Sequence, residues 1–189
     1  GGAPIFYINR GRGDSKAADD IMNTSFTMLC ASALILMAVG MLFARPLLVL
    51  FGASSEAMSY AYPYLMIYLL GSLPSMLASG MNPFINAQGY ATIGMLSVAI
   101  GAVSNIILDP LFIFVFGLGI TGAATATIIS QILSAAFVFY FLHQKAELKV
   151  RLLHLNEVSS CIGHAKNIIS LGTVSFVMQL TTSLVNICC

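Results

Sequence analysis

A single carboxylate stands inside an apolar stretch of the chain. In "SNIILDPLFIFVFGLGITG" (104–122) the one charged residue is Asp109, followed at once by Pro110. A carboxylate at membrane depth costs at least about 2.5–3.5 kcal/mol on insertion scales, so it needs a partner, a proton or an ion. Asn105 precedes it by four positions, on the same face of a helix, and Gly101 and Ala102 extend that face with small side chains that leave room. Polar residues recur downstream at Thr125, Thr127, Ser130 and Gln131. A hairpin closed at "GLGITG" would set Asp109, ten residues before Gly119, at about the depth of Thr127, eight after it. A carboxylate, an amide oxygen and a hydroxyl at one depth can hold a hard cation or a proton. The same residues also fit a protonated or hydrogen-bonded Asp that only locks two helices together.

Gly117, Gly119 and Gly122 spell G-x-G-x-x-G. A dinucleotide loop would follow a short strand, with an acid about 20 residues on to hold a ribose. Here the motif follows an apolar run of helical length, and no acid lies at that distance. The glycines are expected to make a tight turn between two membrane helices.

Composition dictates what must position these groups. The chain is 58% hydrophobic and 8% charged, with a mean hydropathy of +0.92, against roughly 25% charged residues in a soluble domain. Charges gather at Arg10–Asp20 and at Lys145–Lys166, and none occurs between Glu56 and Asp109 or from Pro110 to Gln144. About 20 apolar residues cross a bilayer, so residues 1–9 read as the tail of a helix and complete spans are expected at 24–43, 60–81, 92–116 and 120–142. Arg45-Pro46 should end the first, Pro63 and Pro74 lie inside the second, and a last span should begin near Asn167. The fold class is all-α, a polytopic membrane helix bundle. Small residues in "GAATAT" (122–127) favour close helix approach.

Alternate loops share a side of the membrane. One side then collects Arg10, Arg12, Lys16, Lys145, Lys149, Arg151 and Lys166, and the other only Arg45. The basic side is cytoplasmic by the positive-inside rule, which places residues 10–20, "NAQGYAT" and the linker 144–166 there. "GRGDSKAADD" (11–20) reads as a turn and a capped helix start, with Asp14 or Ser15 at the N-cap. The cysteines Cys30, Cys161, Cys188 and Cys189 form no C-x-x-C pair and read as buried hydrophobes. His143, His154 and His164 lack metal-ligand spacing. The opening without Met and the ending inside an apolar run suggest a fragment of a longer membrane protein.

The block "NPFINAQGYATIGMLSVAIGAVSNIILDPLFIFVFGLGITGAATATIISQ" (82–131), with the "GRGD" loop and "PLLVLFGAS" (46–54), resembles the MATE (multidrug and toxic compound extrusion) transporters. The resemblance implies part of a twelve-helix, two-lobe antiporter. Residues 1–143 would be N-lobe helices from the end of the second to the sixth, 144–166 a cytoplasmic inter-lobe linker, and 167–189 the start of the seventh helix and of the C-lobe. It implies secondary active efflux of small-molecule drugs, cationic or amphipathic, in exchange for H⁺ or Na⁺. It implies no cofactor beyond that ion, no nucleic acid, and the lipid bilayer of a cell membrane as surroundings, with the remaining helices of the full-length chain as partners. The family's N-lobe cation site maps onto Asn105, Asp109 and Thr127, with Asn82 linked to that polar network; the family's helix 1 Asp has no counterpart here. Nothing is assigned to Asn86, where many relatives have Arg. Drug is expected in a cavity of apolar and aromatic side chains with few polar groups, to which Met81, Phe84, Met95 and Phe112 could contribute.

Two other functions compete with this one. A flippase of lipid-linked precursors would want more basic residues in its cavity than these spans offer. An intramembrane aspartyl enzyme would need a second carboxylate near Asp109, and the spans hold none, so the chain is not expected to be an enzyme.

Overall fold

The computed structural model describes residues 1–150 and 158–188. His154 and Cys189 lie outside the described residues, as do the side chains of Cys161, His164 and Cys188. In chain order the helices are α1 (Gly2–Gly11), α2 (Ser15–Leu50), α3 (Ser55–Ala87), α4 (Ala91–Pro110), a π-helical turn (Leu111–Val115), α5 (Gly119–Gln144) and α6 (Val158–Cys188), with no strand among the described residues. Four helical stretches, Ser15–Leu50, Ser55–Ala87, Ala91–Val115 and Gly119–Gln144, are long and apolar enough to cross a membrane. The molecule is a polytopic all-α bundle.

Local chemistry fixes the helix starts. Asp14 caps α2 by accepting from the Ala17 N–H at 3.0 Å, and Ser54 caps α3 by accepting from the Ala57 N–H at 3.2 Å. Gly117 (φ +66°) and Gly119 (φ +53°) take up left-handed backbone in the turn before α5, where a Cβ would be strained. The G-x-G-x-x-G run is therefore a turn, as its context indicated.

Two boundaries differ from expectation. Helix α2 does not stop at Arg45-Pro46 but continues to Leu50 with Pro46 inside. Proline forfeits one hydrogen bond, whereas breaking the helix in an apolar setting would strand several backbone groups. The last helix begins at Val158 rather than near Asn167, so part of the expected linker is helical. Hydropathy marks where the hydrocarbon ends, and a helix is free to run on into water. Helix α2 does the same at its start, where its charged first turns precede the apolar stretch.

The packed core lies toward one end of the bundle. Phe6, Ile21, Met22, Met81, Ile85, Val138 and Leu142 are fully buried there, and edge-on aromatic pairs Phe6–Phe84 and Tyr90–Phe141 have centroids 5.3 and 5.0 Å apart. Such pairs contribute about 0.5–1.5 kcal/mol each beyond area burial. Three connections meet at this end. The buried Gln88 accepts from the Leu148 N–H at 3.0 Å and donates to the Met22 sulfur at 3.7 Å, while Arg10 pairs with Glu147. The 11–14 turn, the 88–90 turn and the start of the linker thus share one face, as alternate loops must. Elsewhere the surface is greasy: Leu42 is 77% exposed, Ile106 71% and Phe114 79%. Contiguous apolar surface of this kind suits lipid, not water.

Candidate functional site

The end of α4 is shaped by Pro110. Its missing N–H interrupts the i→i−4 ladder, and the chain answers with wider turns: the Phe116 N–H bonds to Leu111 O at 3.0 Å and the Leu118 N–H to Phe112 O at 3.1 Å. Helix α5 docks onto this π-helical turn through Gly122, where a Cβ would stand 2.8 Å from the Phe112 carbonyl oxygen. Only hydrogen fits there. The close approach sets the height of α5 against α4 and brings Thr127 opposite Asn105.

Asn105, Asp109 and Thr127 come together. The Asn105 Nδ2 donates to Asp109 Oδ1 at 3.3 Å and to Thr127 Oγ1 at 3.4 Å, and the Thr127 hydroxyl spends its own hydrogen on the Ala123 carbonyl at 2.9 Å. All three side chains are half-buried. The amide donors face a carboxylate oxygen and a hydroxyl lone pair. Turning the amide over would offer its oxygen instead, giving three neutral or anionic oxygens around one point. Such a set suits a proton or a partly hydrated monovalent cation, being short of the six to eight oxygens that calcium takes.

Asn82 does not join this cluster. Its Nδ2 donates to the Gly94 carbonyl at 2.8 Å and to Ser97 Oγ at 2.7 Å, while its Oδ1 accepts from Asn86 at 3.1 Å. Ser134 on α5 donates to the Ser97 carbonyl at 2.8 Å. This second network needs Gly94, where a Cβ would collide with Asn86 Oδ1 and lie 2.9 Å from Asn82 Oδ1. Sequence reasoning missed Ser97, Ser134 and Asn86. The available signal was an isolated hydroxyl or amide recurring at helical spacing in otherwise apolar spans.

Both networks border one cavity of about 530 Å³ between α3, α4 and α5, with Asn82 and Ser97 toward one end and Asn105 and Thr127 toward the other. Asp109 is not among its lining residues and meets it through Asn105. Nine of its fourteen lining residues are Ser, Thr, Asn or Gln, and the others, Ala78, Pro83, Val98, Gly101 and Ala102, include no aromatic side chain. Helices that fold around a polar space put their hydroxyls inward and their large apolar groups toward lipid. Accordingly Met81 and Phe84 belong to the core, Met95 is 69% exposed on the outside, and Phe112 packs on Phe116. A second groove of about 660 Å³, between α1, α2, α3 and α6, carries the apolar and aromatic surface of Met28, Leu29, Phe84 and Phe176.

The sequence matches the MatE family model over residues 8–111. It is 38% identical over 99 residues to Protein DETOXIFICATION 42 of Arabidopsis thaliana, covering 51% of this chain and 19% of that protein. It is 31% identical over 139 residues to the Multidrug export protein MepA of Staphylococcus aureus (strain bovine RF122 / ET3-1), covering 72% of this chain and 31% of MepA. The inward-facing structure of a multidrug resistance MATE family transporter of the MOP superfamily superposes with a TM-score of 0.87 at 27% identity, over 97% of this chain and 41% of that one. The chain therefore spans less than half the length of these relatives. A family match over more than half of its residues, together with the shared fold, shows that the chain belongs to the MatE family.

Proposed function

We propose that this chain forms the ion-coupling part of a secondary active transporter that exports cationic and amphipathic compounds across a cell membrane in exchange for H⁺ or Na⁺. The observation that carries the reading is the Asn105 amide bridging Asp109 and Thr127. Asp109 takes up and releases the coupling cation, while Asn105 holds its carboxylate in place, is itself tied to Thr127, and with Thr127 supplies neutral oxygens. Neutralising the only acid between Glu56 and Glu147 changes which arrangement of the surrounding helices is cheapest. It does so by no more than the cation's differential affinity for the two states, about 1.4 kcal/mol for each tenfold. The face carrying residues 10–20, the 88–90 turn and the linker is cytoplasmic in this reading, supported by its basic residues.

The flippase reading draws no support from the two cavities described above, since no Lys or Arg lines either. An aspartyl enzyme would need a second carboxylate beside Asp109, and no other acid occurs between Glu56 and Glu147.

The test uses the full-length gene in an efflux-deficient bacterial host. Native protein lowers ethidium accumulation, and Asp109→Asn at equal membrane abundance does not. Normal export by Asp109→Asn would make Asp109 a packing residue and refute the proposal.

A further inference from the structure

The chain does not leave the bundle when α5 ends. In "KAELKV" (145–150) charged and apolar residues alternate, a period of two that sends them to opposite faces of an extended segment. The structure follows the pattern. Lys145, Glu147 and Lys149 are exposed, whereas Ala146 and Val150 are buried in the core with Phe6, Ile21, Met22 and Leu142, and Leu148 packs against it.

Backbone bonds fold this segment back over α5. The Phe141 carbonyl accepts from the Lys145 and Ala146 N–H groups, each at 2.9 Å, and the Leu142 carbonyl accepts from the Val150 N–H at 3.2 Å. A helix end leaves such carbonyls without intrahelical partners, so the segment completes the helix it follows. From the other side the buried Gln88 accepts from the Leu148 N–H at 3.0 Å and reaches the Met22 sulfur on α2. Arg10 on α1 pairs with Glu147. Six residues thus join α1, α5 and the turn between α3 and α4, and meet α2 through Gln88.

A contact that lets go in every cycle rests cheaply on exposed charges, which exchange for water at little cost. Only the pair of Arg10 with Glu147 is of that kind. Release of the rest would expose apolar side chains to water and undo the bond to a buried amide. Transporters built from repeated lobes work largely by rocking one lobe against the other. We propose that residues 145–150 are a strap that stays fastened throughout that cycle and moves with α1–α5 as one body. The first point at which the connection toward α6 moves against the bundle then lies beyond Val150. This rests on the chain being part of such an exporter.

The test uses the full-length protein with native cysteines replaced, in membrane vesicles of the orientation that exposes the 88–90 turn. A membrane-impermeant maleimide is applied to Val150→Cys and to its exposed neighbour Lys149→Cys, at rest and during ethidium export. Val150→Cys should label at least about tenfold more slowly in both conditions, because a buried thiol reacts only when its segment opens. Equal rates at rest would overturn the strap, as would a Val150→Cys rate that climbs to that of Lys149→Cys during export. A second variant, Arg10→Cys with Glu147→Cys, is joined by a short flexible bismaleimide. It should export ethidium as fast after joining as before, and loss of export on joining would show that the segment must come away. A native protein that moves no ethidium counts against the exporter reading, while the resting rates still decide whether the strap is fastened.

Discussion

At the scale of the residue, Asn105 matters more than its neutrality suggests, because one amide touches both other members of the cluster. Hydrogen bonds to charged groups contribute about 1.5–3 kcal/mol and neutral ones about 0.5–1.5 kcal/mol. The 3.3 Å bond to Asp109 belongs at the low end of the first range. Asn105→Ala should therefore reduce ethidium export by about tenfold, and Thr127→Val by about two- to threefold. Thr127→Ser keeps the hydroxyl and should export near the native rate. Initial export rates at matched membrane abundance check this series. Native export by Thr127→Val with a loss in Thr127→Ser would mean that the methyl packing of Thr127 matters and its oxygen does not.

At the scale of the element, two glycines set the helix spacing on which both polar networks depend. Gly122 has the Phe112 backbone against it and Gly94 the amides of Asn82 and Asn86, whereas the nearest atom to a Cβ at Gly101 is Ser134 Cβ, at 3.4 Å. Overpacking typically costs about 1–3 kcal/mol. Gly122→Ala and Gly94→Ala should lower thermal stability in detergent by that order, while Gly101→Ala stays near native. A Gly101→Ala protein that melts with the other two would show that the cavity wall is tighter than its geometry indicates. This is also where sequence reading reached its limit. The four spans, the turn glycines, the Asp14 cap and the meeting of Asn105, Asp109 and Thr127 were legible, because hydropathy and i, i+4 spacing are local signals. The π-helical turn, the run of α2 through Pro46 and the bond of Asn82 to Gly94 and Ser97 were not. They depend on how the ladder re-forms after Pro110, on the apolar surroundings of a proline, and on which face of α4 meets α3. No local pattern encodes those.

At the scale of the whole molecule, the start of the linker is packed into the core through Ala146 and Val150 and is also tied there by two side-chain contacts of unequal strength. The pair of Arg10 with Glu147 is exposed, and exposed pairs contribute about 0–1 kcal/mol and weaken in salt. Gln88 is buried and bonds the Leu148 N–H, so its removal strands a donor at about 1–3 kcal/mol. Limited proteolysis near residues 145–150 should accelerate clearly in Gln88→Ala and barely in Glu147→Ala. The reverse order would mean that charge, not the amide, holds the linker.

The account turns on Asp109 exchanging a cation as compound moves the other way. The most direct measurement is ion flux in proteoliposomes of the full-length protein, with ethidium added and released H⁺ or Na⁺ followed by a fluorescent reporter. Native protein should release one of these ions in proportion to ethidium bound, and Asp109→Asn should bind ethidium while releasing neither. Ion release by Asp109→Asn at the native level would contradict the account, placing the coupling site elsewhere in the protein.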